Sequence, residues 1–249
     1  MNHASFRFYA ELNDFLPPHR KQVIFSHAFG GQPTVKDTIE ALGVPHTEVD
    51  LILVNCESVD FSCRIKDGDQ VSIYPVFESI DIAAVLRVRP QPLREVRFVL
   101  DTHLGRLAGY LRMLGFDALY QNDFQDEELA SLSSIGRRIL LTKDRGLLKR
   151  GEVTHGYCVR EIHPRRQLVE ILRRFDLVDL IKPYERCIRC NGLVIPVDKE
   201  EIIDQLQPET RRYYDEYHRC QNCDRVYWRG SHYQRMQLFI AQILEEVKG

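Results

Sequence analysis

Two short apolar runs each end in an aspartate, and this pattern constrains the middle of the chain more than any other. Val96-Arg97-Phe98-Val99-Leu100 leads into Asp101, and Ile139-Leu140-Leu141-Thr142-Lys143 leads into Asp144. Each run reads as a short buried strand with a carboxylate at its C-terminal end, the edge where open α/β sheets gather ligands. Between them, Leu104 to Gly115 has Leu104, Leu107, Leu111 and Leu114 at helical spacing, with Gly115 as C-cap. Phe116 to Tyr120 begins another strand, and Asp126-Glu127-Glu128 opens a second helix with carboxylates at its positive end. Gly156 to Arg160 reads as a strand and Pro164 to Phe175 as a helix. Strands alternating with helices imply a parallel sheet.

Carboxylates carried by separate strands suit Mg²⁺ or Mn²⁺, hard cations that take oxygen ligands. Such a site is fitted to phosphodiester hydrolysis. An aspartate at a strand end equally caps the helix that follows, so residue type alone leaves both roles open. Charge separates the halves. Residues 1–86 carry six Lys/Arg against twelve Asp/Glu, a net −6, while residues 97–182 carry fifteen against twelve, a net +3. A basic surface around an acidic pocket attracts a phosphate backbone and leaves the metal to the carboxylates. The same residues also serve as ordinary solvated helix faces.

Four of the seven cysteines form two Cys-x-x-Cys pairs, Cys187/Cys190 and Cys220/Cys223, with 29 residues between them. Such pairs read as a four-thiolate structural zinc site. The gap is long for a zinc ribbon, and Pro208 to Tyr217 is expected to fill it with a helix. Cys56, Cys63 and Cys158 are scattered and read as small apolar residues. Tyr213, Tyr214, Tyr217, Tyr227 and Trp228 alternate with Arg211, Arg212, Arg219, Arg225 and Arg229. That texture fits stacking on single-stranded RNA, and fits the core and rim of a small module equally well. Ser231 to Val247 reads as an amphipathic helix whose Met236, Phe239, Ile240, Ile243 and Leu244 pack on another domain.

Residues 1–80 read as a separate β-rich domain. Ser5 to Ala10 and Gln22 to Phe25 are strands, and Thr34 to Gly43 is a helix with Thr34 as N-cap, Asp37 at the capping-box position and Gly43 as stop. Leu51 to Asn55 and Gln70 to Pro75 are further strands around a Lys66-Asp67-Gly68-Asp69 turn. Strand, strand, helix, strand, strand is a β-grasp order. Leu53-Val54-Asn55 together with Asp67 to Pro75 resembles the ubiquitin-like sulfur-carrier proteins. The chain runs on through Val76-Phe77-Glu78 with no Gly-Gly tail, so a docking module for a protein partner is expected rather than sulfur transfer. Residues 81–95, with Arg87-Val88-Arg89-Pro90-Gln91-Pro92, read as an extended linker.

Three motifs taken with the cysteine pairs resemble one family. They are Asp101-Thr102-His103-Leu104-Gly105-Arg106-Leu107, Leu111-Arg112-Met113-Leu114-Gly115-Phe116-Asp117, and Leu140-Leu141-Thr142-Lys143-Asp144-Arg145. They resemble the Mut7-C RNase family, a PIN-like nuclease domain followed by a zinc ribbon and often preceded by a ubiquitin-like domain. The resemblance implies an α+β multidomain chain: a β-grasp domain (1–80), a linker (81–95), a PIN-like parallel-sheet domain (96–182), and a zinc ribbon with a C-terminal helix (183–249). It implies Asp101 and Asp144 as ligands of Mg or Mn and Asp126 as the intervening acid, with Asp123 and Glu127 as substitutes. A fourth acid has no clear equivalent, Glu161 and Glu152 being the nearest candidates. Thr142 would position Asp144 or a metal-bound water through its hydroxyl, and Lys143, Arg145 and Arg106 would meet RNA phosphates. The expected activity is endo- or exoribonucleolytic hydrolysis. A non-catalytic RNA-binding adaptor with a degenerate nuclease fold is the other reading. No stretch approaches a membrane span, and Arg7, Glu11 and Asp14 interrupt any signal-peptide core, so a cytoplasmic protein is expected.

Overall fold

The computed structural model describes residues 1–75, 87–88 and 95–248. The linker expected over 81–95 falls almost wholly outside the described residues. In chain order the first elements are β1 (Asn2–Phe8), β2 (Phe25–Phe29), α1 (Val35–Ala41), β3 (Leu51–Val54), β4 (Glu57–Val59) and β5 (Gln70–Tyr74). Next come β6 (Arg97–Leu100), α2 (Gly105–Met113), β7 (Asp117–Leu119), α3 (Asp126–Ile135), β8 (Ile139–Thr142), α4 (Arg145–Leu148), β9 (Gly156–Cys158) and α5 (Pro164–Arg174). Last are β10 (Val194–Val197), α6 (Lys199–Ile202), α7 (Pro208–Tyr213), β11 (Tyr217–Cys220), β12 (Val226–Trp228) and α8 (Ser231–Lys248). The chain is therefore mixed α and β. It divides into two compact units, Met1–Glu95 with Asp126–Cys158, and Val96–Gln125 with Val159–Gly249.

In the first unit five strands form one sheet in the order β2-β1-β5-β3-β4. The central pair β1/β5 is parallel and the others are antiparallel. Alternation sets the register: Ala4, Phe6 and Phe8 of β1 are buried, as are Val71 and Ile73 of β5. α1 adds Val35 and Ile39 to that core. Its start is the expected capping box, with Thr34 and Asp37 each accepting from the other's backbone N–H. The expected strand at Gln22–Phe25 starts later. Gln22 has φ +58° and its N–H is held by the Asn13 side chain, so the chain is still turning there and β2 begins at Phe25. Asn55 and Asp69 lock the turn before β5: the Asn55 amide donates to Asp69, and its carbonyl accepts from Gln70 N–H.

The same unit contains a parallel pair, β8 beside β9, with α3 and α4 flanking it. All four residues of β8 are buried, as expected of a strand covered on both faces. The short turn His46–Glu48 meets β9 directly. His46 Nε2 donates to the Val153 carbonyl at 2.8 Å, and Nδ1 lies 2.6 Å from Glu40. Lys149 donates to the Glu40 carbonyl at 2.7 Å, and the buried Glu48 carboxylate accepts from Cys158 N–H at 2.5 Å.

In the second unit β6 and β7 form another parallel pair, with α2 between them in sequence. Leu104, Leu107, Leu111 and Leu114 are all buried, as their spacing predicts. α5 packs on α2, and α8 packs on α5. Ile240 and Ile243 are buried, and Phe239 lies against Tyr110, so the apolar face of α8 is covered as expected. β10, β11 and β12 form a three-stranded antiparallel sheet. The helix expected over Pro208–Tyr217 stops at Tyr213. Tyr217 instead starts β11, where it pairs with Val197 and Trp228 and is buried. Strand pairing and burial outweigh local helix preference there.

Candidate functional site

Two Cys-x-x-Cys turns bring four sulfurs together. The ligand atoms of Cys187, Cys190, Cys220 and Cys223 all lie within 4.8 Å of one another. The closest pairs are Cys187/Cys223 at 3.7 Å and Cys190/Cys220 at 3.3 Å. A tetrahedral zinc with Zn–S of ~2.3 Å sets its sulfurs ~3.8 Å apart, so this donor set fits a closed four-thiolate site. Burial pushes the Cys187 thiol up, but the Tyr227 hydroxyl, 3.0 Å from its sulfur, and the N–H groups of Cys190 and Arg189 bring it down to about 6. Burial pushes Cys190 up to about 12, with the neighbouring sulfurs adding to the rise. Four crowded thiols resist ionising together, and a divalent cation removes that conflict.

The motif Leu111 to Asp117 anchors this cysteine cluster. Arg112 is buried and donates to the carbonyls of Ile188 at 3.2 Å and Arg189 at 2.9 Å, both inside the first cysteine turn. It also donates to Ala118 at 2.8 Å and Tyr120 at 3.5 Å, so one guanidinium joins the turn to β7. Asn191, buried with φ +69°, donates to Asp117 at 2.7 Å and accepts from Ala118 N–H at 3.0 Å. Arg186 adds an ion pair to Asp117 at 3.6 Å. Gly115 is required twice over: its φ is +96°, and a Cβ there would lie 2.0 Å from the Lys182 carbonyl oxygen. Neither Arg112 nor Asn191 was legible as an anchor in sequence. The signal available was a charged residue inside an otherwise apolar helix turn.

Each strand-end acid has a definite local setting. Asp101 follows β6, is largely buried, and accepts from the Thr102 hydroxyl at 3.0 Å; His103 Nδ1 lies 3.4 Å away. The turn after it is braced by Tyr120, whose hydroxyl donates to the Thr102 carbonyl at 2.9 Å. Arg106 is exposed in the first turn of α2. Asp144 follows β8 and caps α4, its Oδ1 accepting from Gly146 N–H at 2.6 Å and Leu147 N–H at 3.4 Å. Its own N–H donates to the buried Thr142 hydroxyl at 2.9 Å, so Thr142 does position Asp144. Its Oδ2 makes no hydrogen bond among the described residues. Lys143 is exposed, and the Arg145 guanidinium lies 4.8 Å from the Phe15 ring centroid.

Asp126 is the exposed first residue of α3. Of its substitutes, Asp123 is also exposed, while Glu127 is paired with Arg150 at 3.0 Å. Its own backbone N–H, and then the contact with Arg150, holds the Glu127 carboxyl below its usual range. Glu152 also pairs with Arg150, at 3.6 Å. Glu161 is half-buried, and its backbone N–H is bonded to Glu170.

The Mut7-C RNAse domain matches residues 96–240, and the Mut7-C ubiquitin domain matches residues 1–81. The chain belongs to the Mut7-C RNAse domain family. No curated protein matches it. Two crystal structures of small archaeal modifier protein 1 from Haloferax volcanii are similar, at 17% and 16% identity and a TM-score of 0.26 each. They cover 31% and 32% of this chain and 100% of their own.

Proposed function

We propose that this protein is a metal-dependent ribonuclease with Asp101, Asp126 and Asp144 as its catalytic acids, Asp101 and Asp144 as ligands of Mg²⁺ or Mn²⁺ and Asp126 as a ligand or the acceptor of the water's proton. The observation that carries this reading is the RNAse-domain match over residues 96–240, which spans all three aspartates. In it, residues 1–80 are a β-grasp docking module for a protein partner, 81–95 a linker, 96–182 a PIN-like nuclease domain, and 183–249 a zinc ribbon with its helix. When bound, the ion activates water and neutralises charge on the phosphoryl oxygens. Asp144 contributes a carboxylate whose orientation is fixed by the first N–H groups of α4, while Thr142 accepts from its backbone N–H. Asp101 is held by Thr102. Lys143 and Arg106 are exposed cations fitted to flanking phosphates, and Arg145, next to Asp144 in the chain, is steadied by Phe15. Zinc at the four cysteines is structural, a closed site with no open position for substrate.

A second reading, an RNA-binding adaptor with a degenerate nuclease fold, draws on the acids that remain. Of the two candidates for a fourth acid, Glu152 pairs with Arg150 at 3.6 Å and Glu161 is half-buried. Cleavage of labelled single-stranded and structured RNAs with Mn²⁺ or Mg²⁺ separates the two readings. The ribonuclease reading expects metal-dependent cleavage that disappears in Asp101→Asn and Asp144→Asn. RNA binding that persists without metal and without cleavage would sink it in favour of the adaptor. No helix among the described residues is long and apolar enough to cross a membrane.

A further inference from the structure

Beside the four cysteines lies a mostly apolar cavity of about 310 Å³, lined by Tyr184, Tyr227, Trp228 and Tyr233 among others. Its size sits at the lower end of the ~300–1,000 Å³ range of ligand pockets, suited to a flat ring rather than a folded chain. The rings are held in place. The Tyr227 hydroxyl rests 3.0 Å from Cys187 Sγ, and the Tyr184 and Tyr233 rings pack together at a 38° tilt with centroids 4.7 Å apart. Trp228 is fitted against Gly230, where a Cβ would come within 2.8 Å of the indole nitrogen.

Three features give this apolar cavity polar handles. The Tyr184 hydroxyl is buried and has no hydrogen-bond partner among the described residues. Unpartnered buried polar groups are few in folded proteins. Tyr184 also holds a left-handed backbone, φ +70°, a strained conformation for an aromatic residue. His218 lines the same cavity, and its ring makes no hydrogen bond among the described residues. Arg229 lies at the lining with its guanidinium 6.0 Å from the Tyr233 ring centroid. Its pairing with Glu216, at 3.3 Å, is between two exposed side chains and easily exchanged for a phosphate. Glu185 is the carboxylate of the lining.

We propose that this cavity takes one unstacked nucleobase of a single-stranded RNA. The base stacks among Tyr184, Trp228 and Tyr233, the Tyr184 hydroxyl and His218 bond its edge, and Arg229 meets an adjacent phosphate. Hydroxyl and imidazole can each donate or accept, so the site tolerates different bases. A base paired inside a duplex cannot enter, so the site favours single strands and frayed ends. This inference rests on the ribonuclease reading and gives that activity a gripping site built from residues other than the strand-end aspartates.

Trp228 is the one tryptophan of the chain, so its fluorescence reports this cavity. The test uses zinc-loaded full-length protein without added Mg²⁺ or Mn²⁺, titrated with a short oligouridylate and with an abasic oligomer of equal length and charge. Binding is followed in parallel by anisotropy of the labelled RNA. The expected result is saturable quenching by oligouridylate, and binding of the abasic oligomer weaker by about 5- to 100-fold. Tyr233→Ala should lose a comparable factor, and Tyr184→Phe, which keeps ring and fold, about 2- to 10-fold. If RNA binds, and is cut once Mn²⁺ is added, but the abasic oligomer and both variants bind equally well, the cavity proposal is overturned and the ribonuclease reading stands. If the intact protein neither binds RNA nor cuts it after Mn²⁺ is added, both are overturned. A Trp228 signal that tracks protein concentration instead of RNA overturns the proposal and marks a contact between copies.

Discussion

The Asn191 side-chain amide donates to the Asp117 carboxylate at 2.7 Å, tying the residue after the first cysteine pair to the start of β7. Around this bond the Leu111–Asp117 motif serves as an anchor for the metal module. Arg112 is its strongest part, because one buried guanidinium serves four carbonyls. Burial pulls its pKa down, and the nearby Cys187 and Cys190 push it back up. Arg112→Met should therefore destabilise the chain by about 3 kcal/mol or more, since the buried carbonyls lose their donor. Arg112→Lys should rescue little of this, as an ammonium cannot span the same fork. Chemical denaturation together with bound zinc per chain checks it. Wild-type stability and zinc content in Arg112→Met would refute the anchor.

Zinc removal should act on the same module. A zinc ion held by the four cysteines would fix both cysteine turns and the three-stranded sheet, since apparent binding energy at small thiolate sites is ~10–16 kcal/mol. A strong chelator is expected to abolish the protection of β10–β12 amides in hydrogen exchange while leaving β1, β3 and β5 protected. Cys220→Ser should reproduce the effect without chelator. Protection of β10–β12 that survives full metal removal would show that the sheet stands on its packing alone.

Asp144 carries two roles that substitutions can separate. Its Oδ1 caps α4, and asparagine caps nearly as well as aspartate, whereas alanine does not. Asp144→Asn should keep stability within about 0.5 kcal/mol while Asp144→Ala loses about 1 kcal/mol. Both should abolish metal-dependent cleavage under the ribonuclease reading. Thermal melts run beside cleavage assays make the comparison. Activity retained in Asp144→Asn would leave Asp144 as a helix cap alone.

Acid should loosen α1 before the rest of its sheet. The Thr34 hydroxyl, and then the Thr34 N–H, hold the Asp37 carboxyl below its ordinary value of 3.8. A depressed folded-state pKa means the contribution is fully present above the unfolded value and is lost as pH falls through the folded one. Stability should therefore drop below about pH 4, and less steeply in Asp37→Asn. NMR titration of the Asp37 carboxyl carbon supplies the direct check, and an unshifted or raised midpoint would contradict the capping box.

Local signals carried a good part of this architecture. Thr34, Asp37 and Gly43 mark the ends of α1 because caps are short-range chemistry. The cysteine pairs announce their cluster by spacing, and the leucines of α2 announce its buried face. What sequence hid was long-range. Arg112 sits on the helix as any solvated charge would, and its acceptors at Ile188 and Arg189 lie more than seventy positions away. Tyr217 continued a helical pattern, but its hydroxyl donates to the Thr210 and Tyr214 carbonyls while its ring is buried in β11. At the candidate site the acids were legible as strand ends. The pairing of Glu127 with Arg150 was not, because exposed carboxylates look alike until their partners are placed.

Glu48 gives the clearest example of a hidden partner and the most direct test of how the first unit holds together. Its carboxylate is fully buried and accepts from the N–H of Cys158, the last residue of β9, 110 positions along the chain. With His46 to Val153 and Lys149 to Glu40, this contact joins residues 40–48 to residues 149–158. Glu48→Ala removes the acceptor and leaves a buried N–H unpaired, which should cost about 2–3 kcal/mol. Glu48→Gln keeps an acceptor oxygen in nearly the same place and should cost less. The Cys158 amide should exchange with solvent at the rate of global unfolding in wild type, and faster in Glu48→Ala. The ubiquitin-like segment and the β8/β9 segment should also unfold in a single transition, seen as coincident melts of probes in each. Separate melts, with Cys158 exchange untouched by Glu48→Ala, would mean that these bonds form without coupling the two segments.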